Sequence, residues 1–166
     1  MGFCATEFSL EGSIEIWEML KEIGPGENGF KNTGYNIPYE RLTGYLQYEM
    51  KMARGLGLKP AFATPSFWIF QDDLPIGIGR VKHYLNDPIL RLFGQIAFCI
   101  RPSERGKGYA NTALSLILQK AKEKGVAVAS LTCAEENMAS RKAIEFNEGK
   151  LEKIENNECY YWIALS

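Results

Sequence analysis

The chain has 166 residues, of which 46% are hydrophobic and 23% charged, with a formal net charge of −1. That length and apolar share suit one domain with a sizeable core, so a single domain over residues 1–166 is expected. The near balance of charge argues against a nucleic-acid partner, which asks for a basic stripe, and no apolar run approaches the roughly 20 residues of a membrane span.

Ser13 is placed to cap a helix predicted over Ile14 to Ile23, with Ile16, Trp17, Leu20 and Ile23 as its apolar stripe and Glu15, Glu18 and Glu22 toward water. Gly24-Pro25-Gly26 stops it, and a polar loop runs to about Asn36. Pro38 suits the first turn of a second helix reaching about Arg54, with Leu42, Tyr45, Leu46, Met50 and Ala53 buried and Gly55 and Gly57 ending it. From Phe67 the period shortens. Phe67 to Gln71 and Pro75 to about Tyr84 read as strands joined by Asp72-Asp73, and Asn86-Asp87-Pro88 breaks the chain. Gly94 to Ile100 alternates: Ile96, Phe98 and Ile100 face one way, Gln95, Ala97 and Cys99 the other. Gly108 to Lys124 is the clearest helix, its stripe formed by Ala110, Ala113, Leu114, Ile117, Leu118 and Ala121. Val126 to Cys133 is apolar on both faces, as a central strand of a parallel pair should be. A helix over about Asn137 to Phe146 follows, then two short strands joined by Asn156-Asn157, the second dominated by Tyr160, Tyr161, Trp162 and Ile163. The edge of that aromatic strand suggests pairing across a homodimer.

Cys4, Cys99, Cys133 and Cys159 form no C-x-x-C pair, and three lie in strand-like runs, so they read as reduced thiols of a cytoplasmic protein. With one histidine and no clustered ligands, no metal site is expected. The N-terminus lacks the basic-then-apolar layout of a secretory signal. Met1-Gly2-Phe3-Cys4-Ala5-Thr6 spells an acylation pattern without a polybasic partner. Gly24 to Gly29 spells G-x-G-x-x-G, but it follows a helix and contains proline, so it reads as a loop. That also removes a nicotinamide dehydrogenase.

The string Arg101-Pro102-Ser103-Glu104-Arg105-Gly106-Lys107-Gly108-Tyr109-Ala110 joins the alternating strand to the long helix. A glycine-containing, arginine-bearing turn at a helix N-terminus presents outward N–H groups and partial positive charge, which suits a pyrophosphate. A strand ending in Ile-Arg-Pro and followed by Arg-Gly-Lys-Gly-Tyr-Ala resembles motif A of the GCN5-related N-acetyltransferases, the GNAT superfamily. Leu131-Thr132-Cys133 and then Asn137-Met138-Ala139-Ser140-Arg141-Lys142-Ala143 resemble that family's fifth strand and following helix. The resemblance is strong from about Phe67 onward and is nearest to a bacterial branch of predicted acetyltransferases.

The resemblance implies an α/β fold with a mixed sheet of about six or seven strands, splayed at its centre where two parallel strands diverge and flanked by helices. It implies acetyl-coenzyme A, with the pyrophosphate on the N–H groups of Arg105 to Ala110. Gly106 and Gly108 would let the backbone approach, and Arg105, Lys107 or Arg101 would add charge-assisted contacts. The pantetheine arm would pair with the strand edge from Phe98 through Ile100 to Arg101, and Asn137 would hydrogen-bond it from the other side. Ser140 counts among the cofactor positions, and Arg141 or Lys142 would reach the adenosine end. The reaction would be direct attack of a neutral primary amine, belonging to a small molecule or a protein, on the thioester.

The chain departs from the family where a tyrosine usually stands seven residues after the asparagine: Ile144 is there. The ending Ile144-Glu145-Phe146-Asn147-Glu148-Gly149 and Ser103 also differ from the usual pattern. For a general base, His83 is the residue type whose neutral pKa suits the role, although a lone histidine more often reads as a surface or satisfied structural residue. Glu135 and Glu136 read either as a base beside the cleft or as exposed loop carboxylates. Tyr45, Tyr48, Phe67, Trp68, Tyr84, Tyr160, Tyr161 and Trp162 are core or acceptor-pocket aromatics. The competing function is a GNAT-fold module that binds acyl-coenzyme A without turnover.

Overall fold

A computed structural model of the protein describes residues 2–26, 30–56, 62–84 and 87–165. The elements in chain order are β1 (Phe3–Glu7), α1 (Ile14–Ile23), α2 (Leu42–Ala53), β2 (Phe62–Ala63), β3 (Ser66–Gln71), β4 (Leu74–Tyr84), β5 (Phe93–Ile100), α3 (Tyr109–Glu123), β6 (Val128–Ala134), α4 (Met138–Phe146), β7 (Lys150–Glu155) and β8 (Glu158–Ala164). The sheet runs β1-β3-β4-β5-β6-β8-β7, with β2 added on β4.

Every neighbouring pair is antiparallel except β5 and β6, which are parallel and pair only over Phe93–Gln95 with Val128–Ser130. Beyond Gln95 the two strands part, while β5 stays paired to β4 as far as Ile100. A V-shaped opening therefore splits the sheet, as the family resemblance implies.

Alternation along β5 assigns the two faces. Ile96 and Ile100, with Phe98 beside them, join α3, α4, β6 and β8 in one core. Cys99 joins α1, α2 and Trp68 in the other, with Ala97 packed against it. The close approach of α3 depends on Gly79 of β4, where a Cβ would stand 2.3 Å from Ile117 Cδ1.

Ser13 caps α1 as expected, its Oγ accepting from the Ile16 N–H at 3.2 Å. Met19 joins its buried stripe, and Trp17 is half-buried, donating from Nε1 to the Ile37 carbonyl at 2.8 Å. The second helix starts later than expected: Pro38 is extended (ψ 147°), Tyr39–Arg41 form a 3-10 turn, and α2 begins at Leu42. Its buried face includes Glu49, whose carboxylate accepts from Thr33 Oγ1 at 2.8 Å. Strands β1 and β2 were not expected from sequence. Strand β1 buries only Ala5, and β2 has two residues, so neither carries a readable period. The aromatic strand β8 is not an edge. It lies between β6 and β7, leaving the fully exposed β7 outermost. Cys99, Cys133 and Cys159 are buried thiols and Cys4 is exposed. Part of the Gly24–Gly29 loop, Gly57 and Asn86 lie outside the described residues, and no described helix is long and apolar enough to cross a membrane.

Candidate active site

Strand β5 ends at Ile100 and the chain turns through a 3-10 segment, Pro102–Glu104, into the glycine bend. Gly106 and Gly108 have φ of +76° and +78°, a left-handed geometry that glycine adopts without strain. Gly108 is the N-cap of α3 and supplies no capping side chain. Among the described residues, no acceptor takes the N–H groups of Gly106, Lys107, Gly108, Tyr109 or Ala110. No atom lies within 4 Å of where a Cβ would stand at either glycine. Five successive unpaired amides at a helix N-terminus, four of them on residues that line a cavity, make a cradle of the kind that can hold an anion.

The cradle borders a cavity of about 420 Å³ whose wall includes Phe98, Ile100, Arg105, Tyr109, Ala110, Asn137 and Ser140. A second cavity of about 410 Å³ fills the split between β5 and β6, with Gln95, Ala97, Thr132, Cys133, Glu158 and Tyr160 in its wall. Phe98 and Ser140 line both. The far wall is α4, capped by Asn137, whose Oδ1 accepts from the Ser140 N–H at 3.2 Å while Nδ2 donates to Ser140 Oγ at 2.9 Å. Asn147 Nδ2 donates to the Asn111 carbonyl at 3.1 Å and ties the end of α4 to the start of α3.

Cations expected at the phosphate are distributed unevenly. Arg105 lines the first cavity, with Nε donating to the Ile100 carbonyl at 2.8 Å. Lys107 pairs with Glu104 at 2.8 Å, which raises its pKa and offsets the carboxylate beside the cradle. Arg101 is turned away. Its Nη2 meets Glu22 Oε1 at 3.0 Å and its Nη1 donates to the Pro75 carbonyl at 3.0 Å, so its guanidinium fastens the turn to α1 and β4 instead of facing the cradle. Ser103 adds its N–H and hydroxyl to the same carboxylate at 2.9 and 2.8 Å. Burial pushes the Glu22 carboxyl up, but the hydrogen bonds from Arg101 and Ser103, with the charge of Arg101, hold it at about 2. Glu22, expected in water, is thus the hub that anchors the approach to the glycine bend.

Arg141 is also turned from the cavity. Its Nε donates to Tyr161 Oη at 3.1 Å, and Tyr161 donates to Glu145 at 2.8 Å, joining α4 to β8. Lys142 lines the first cavity in its place. The three residues considered for the base lie elsewhere. His83 is buried, lines neither cavity, and pairs with Gly94, at the opposite end of β5 from Ile100 and about 20 Å from it at a rise of about 3.3 Å per residue. Glu135 and Glu136 are exposed on the turn after β6 and line neither cavity.

Several polar groups at the split carry no reactive signal in the sequence: Gln95, Thr132, Cys133 and Glu158, with Tyr160 only one aromatic of eight. Thr132 and Tyr160 stand opposite each other across β6 and β8, a pairing that no local pattern announces. Burial, then neighbouring Cys159, pushes the Cys133 thiol up to about 11. Ile144, in the tyrosine's usual place, is buried in the wall of the second cavity.

A family model described as Acetyltransferase (GNAT) domain matches residues 44–148. No curated protein matches the sequence. Solved structures similar in fold include the Salmonella typhimurium putative acetyltransferase yncA with its cofactor acetyl-CoA, 12% identical over 100% of this chain and 95% of that one, with a TM-score of 0.69. An N-acetyltransferase from Staphylococcus aureus Mu50 is 15% identical over the whole of both chains, with a TM-score of 0.68. The Campylobacter jejuni N-acetyltransferase PseH in complex with acetyl coenzyme A is 16% identical over 99% of this chain and 100% of that one, with a TM-score of 0.61.

Proposed function

Because the chain belongs to the GNAT acetyltransferase family, we propose that it moves an acetyl group from acetyl-coenzyme A to a primary amine of a small molecule, in the cytoplasm, by direct attack within a ternary complex. The observation that carries this reading is the row of unpaired amides from Gly106 to Ala110 beside an open cavity. The residues fit the cofactor: the amides take its diphosphate, and Arg105 and Lys142 supply positive charge at the cavity wall. The peptide-like pantetheine arm adds to the edge of β5 that β6 abandons beyond Gln95, as an extra strand would.

An arm laid along β5 from the cradle leads to the junction of the two cavities. The second cavity is then the acceptor's entry, and its volume suits a small molecule. The Glu158 carboxylate attracts a cationic amine, while Thr132 and Tyr160 offer hydrogen bonds to it. The neutral amine nitrogen attacks the thioester carbonyl carbon, and the oxygen that gains charge is met by backbone N–H on the splayed part of β5. The C–S bond then breaks with its electron pair going to sulfur, and the proton lost by nitrogen ends, in the net reaction, on the thiol.

Titration calorimetry with acetyl-coenzyme A, followed by free-thiol release across a panel of primary amines, tests this. Binding with amine-dependent release is expected. Absence of binding to folded protein removes the proposal. A second reading is favoured by Ile144, an apolar residue where the family places a proton donor. On that reading the protein binds acyl-coenzyme A without turnover, and the panel would give binding with no amine-dependent thiol.

A further inference from the structure

We propose that the acceptor is a monoamine with an apolar body, selected by the ring of Phe30, which Arg80 holds in the wall of the second cavity; this deepens the acceptor reading above and rests on it. Phe30 is 4% exposed and lines that cavity. Every other described residue of the wall comes from β5, β6, α4 or β8. Phe30 is thus the one contribution of the N-terminal part of the chain.

The sheet keeps the two substrates on opposite faces. The first cavity is walled by Tyr109 and Ala110 of α3 and by Ser140 of α4, on the face where Ile96 and Ile100 pack. Phe30 and Ala97 belong to the core on the other face. Leu131 and Cys133 of β6, and Cys159 and Tyr161 of β8, pack with α3 and α4, so alternation turns Thr132, Glu158 and Tyr160 to the Phe30 face. An amine that approaches the thioester from the face opposite the cofactor passes between two unlike walls. Phe30 and Ala97 form one, and Thr132, Glu158 and Tyr160 form the other.

The ring is held in advance. The Arg80 guanidinium lies 4.8 Å from its centroid, and Arg80 stands opposite Ala97 in the β4–β5 ladder. That guanidinium also donates from Nη1 to the Lys31 carbonyl, from Nη2 to Thr33 Oγ1 at 3.1 Å and from Nε to Ser66 Oγ at 3.2 Å. Thr33 donates in turn to the buried carboxylate of Glu49, and the buried Asn32 donates from Nδ2 to the Leu20 and Gly24 carbonyls at 2.8 and 2.7 Å. The three residues after Phe30 are thereby tied to β4, α1 and α2. A wall fixed by so many bonds is a preorganised surface.

Charge and burial then set what fits it. Arg80 already engages the ring, so a second cation there would meet a like charge. A polar group against the ring would give up water for a partner that offers no hydrogen bond. The part of the acceptor that meets Phe30 is therefore uncharged and apolar, and the one positive charge belongs at Glu158 on the other wall. An amine with an aromatic or branched alkyl group meets both conditions. A diamine or an amino alcohol does not.

The test measures free-thiol release from acetyl-coenzyme A with phenethylamine and isopentylamine against putrescine and ethanolamine, in wild type, Phe30→Ala, Phe30→Leu and Arg80→Lys. Wild type should favour the two apolar amines by about tenfold or more in kcat/KM, the scale on which an apolar pocket discriminates. Phe30→Ala should remove most of that preference, chiefly through KM for the apolar amines, and Phe30→Leu should keep much of it. Arg80→Lys keeps the charge and loses the fork that positions the ring, so its preference should fall between those of wild type and Phe30→Ala. Calorimetric affinity for acetyl-coenzyme A should be the same in all four proteins, which a general loss of structure would not give. Turnover with no preference for apolar amines in wild type overturns the proposal and leaves the acetyltransferase reading standing, and this result needs no variant. A preference that survives intact in Phe30→Ala or is lost equally in Phe30→Leu overturns the assignment to the Phe30 ring. Cofactor binding with no thiol release from any of the amines overturns the acceptor reading and this proposal with it.

Discussion

Replacing Glu22 with Gln removes one charge and leaves the shape, and it strikes the hub between α1 and the turn at Arg101–Ser103. In the folded protein the carboxyl titrates at about 2 against an ordinary value of 4.5. At about 1.36 kcal/mol per pH unit, that displacement corresponds to roughly 3 kcal/mol of preference for the charged form. Glu22 is 29% exposed and Arg101 12%. Solvent screening at such a site reduces the figure to about 1–2 kcal/mol. The sign follows from the direction of the displacement. A carboxyl held below its unfolded value contributes stability that is fully present above pH 4.5 and is lost as pH falls toward 2. Urea denaturation of wild type and Glu22→Gln at several pH values reads this directly. At pH 7 the variant should be less stable by about 1–2 kcal/mol, and the gap should narrow below pH 4.5 and close near pH 2. A gap that stays constant across that range would show that the carboxylate's charge is not what fastens the turn.

The cradle makes a sharper demand. Gly108→Glu places a carboxylate and a Cβ at a φ of +78° where the diphosphate is proposed to lie, so calorimetry should find acetyl-coenzyme A binding abolished in protein whose circular dichroism matches wild type. Gly79→Ala puts a methyl group 2.3 Å from Ile117 Cδ1, in a fully buried contact, and should destabilise by about 1–3 kcal/mol in chemical denaturation. Asn137→Ala removes the α4 cap and should cost about 1 kcal/mol, seen as a lower melting temperature. With an acceptor in hand, His83→Asn should leave the pH–rate profile unchanged, since His83 stands at the far end of β5; a lost limb in that profile would return it to the mechanism.

Much of this architecture is legible from local periodicity. The Ser13 cap, the single stripe of α3 with Gly108 at its start, and the two-faced alternation of β5 are each written within one element, and the structure repeats them. What escaped is what depends on partners distant in sequence. Glu22 and Glu18 look alike along α1, yet Glu22 meets Arg101, 79 residues further along the chain. Arg101 and Arg105 look alike along the bend, and only the fold turns the first away from the cradle and lines the cavity with the second. The insertion of β8 between β6 and β7 brings Glu158 and Tyr160 to the split, and a strand order of that kind has no signature in either strand. A lone histidine suits a base by its residue type, but the pairing of His83 with Gly94, which sets it away from the cleft, is not written in the sequence around it.

The central claim is that main-chain N–H groups at the start of α3 hold a diphosphate. Amide chemical shifts recorded by nuclear magnetic resonance, with coenzyme A and separately with pantetheine, which lacks the diphosphate, test it most directly. The amides of Gly106, Lys107, Gly108, Tyr109 and Ala110 are expected to move with coenzyme A and to stay in place with pantetheine. Saturation by coenzyme A with those five amides unmoved would contradict it.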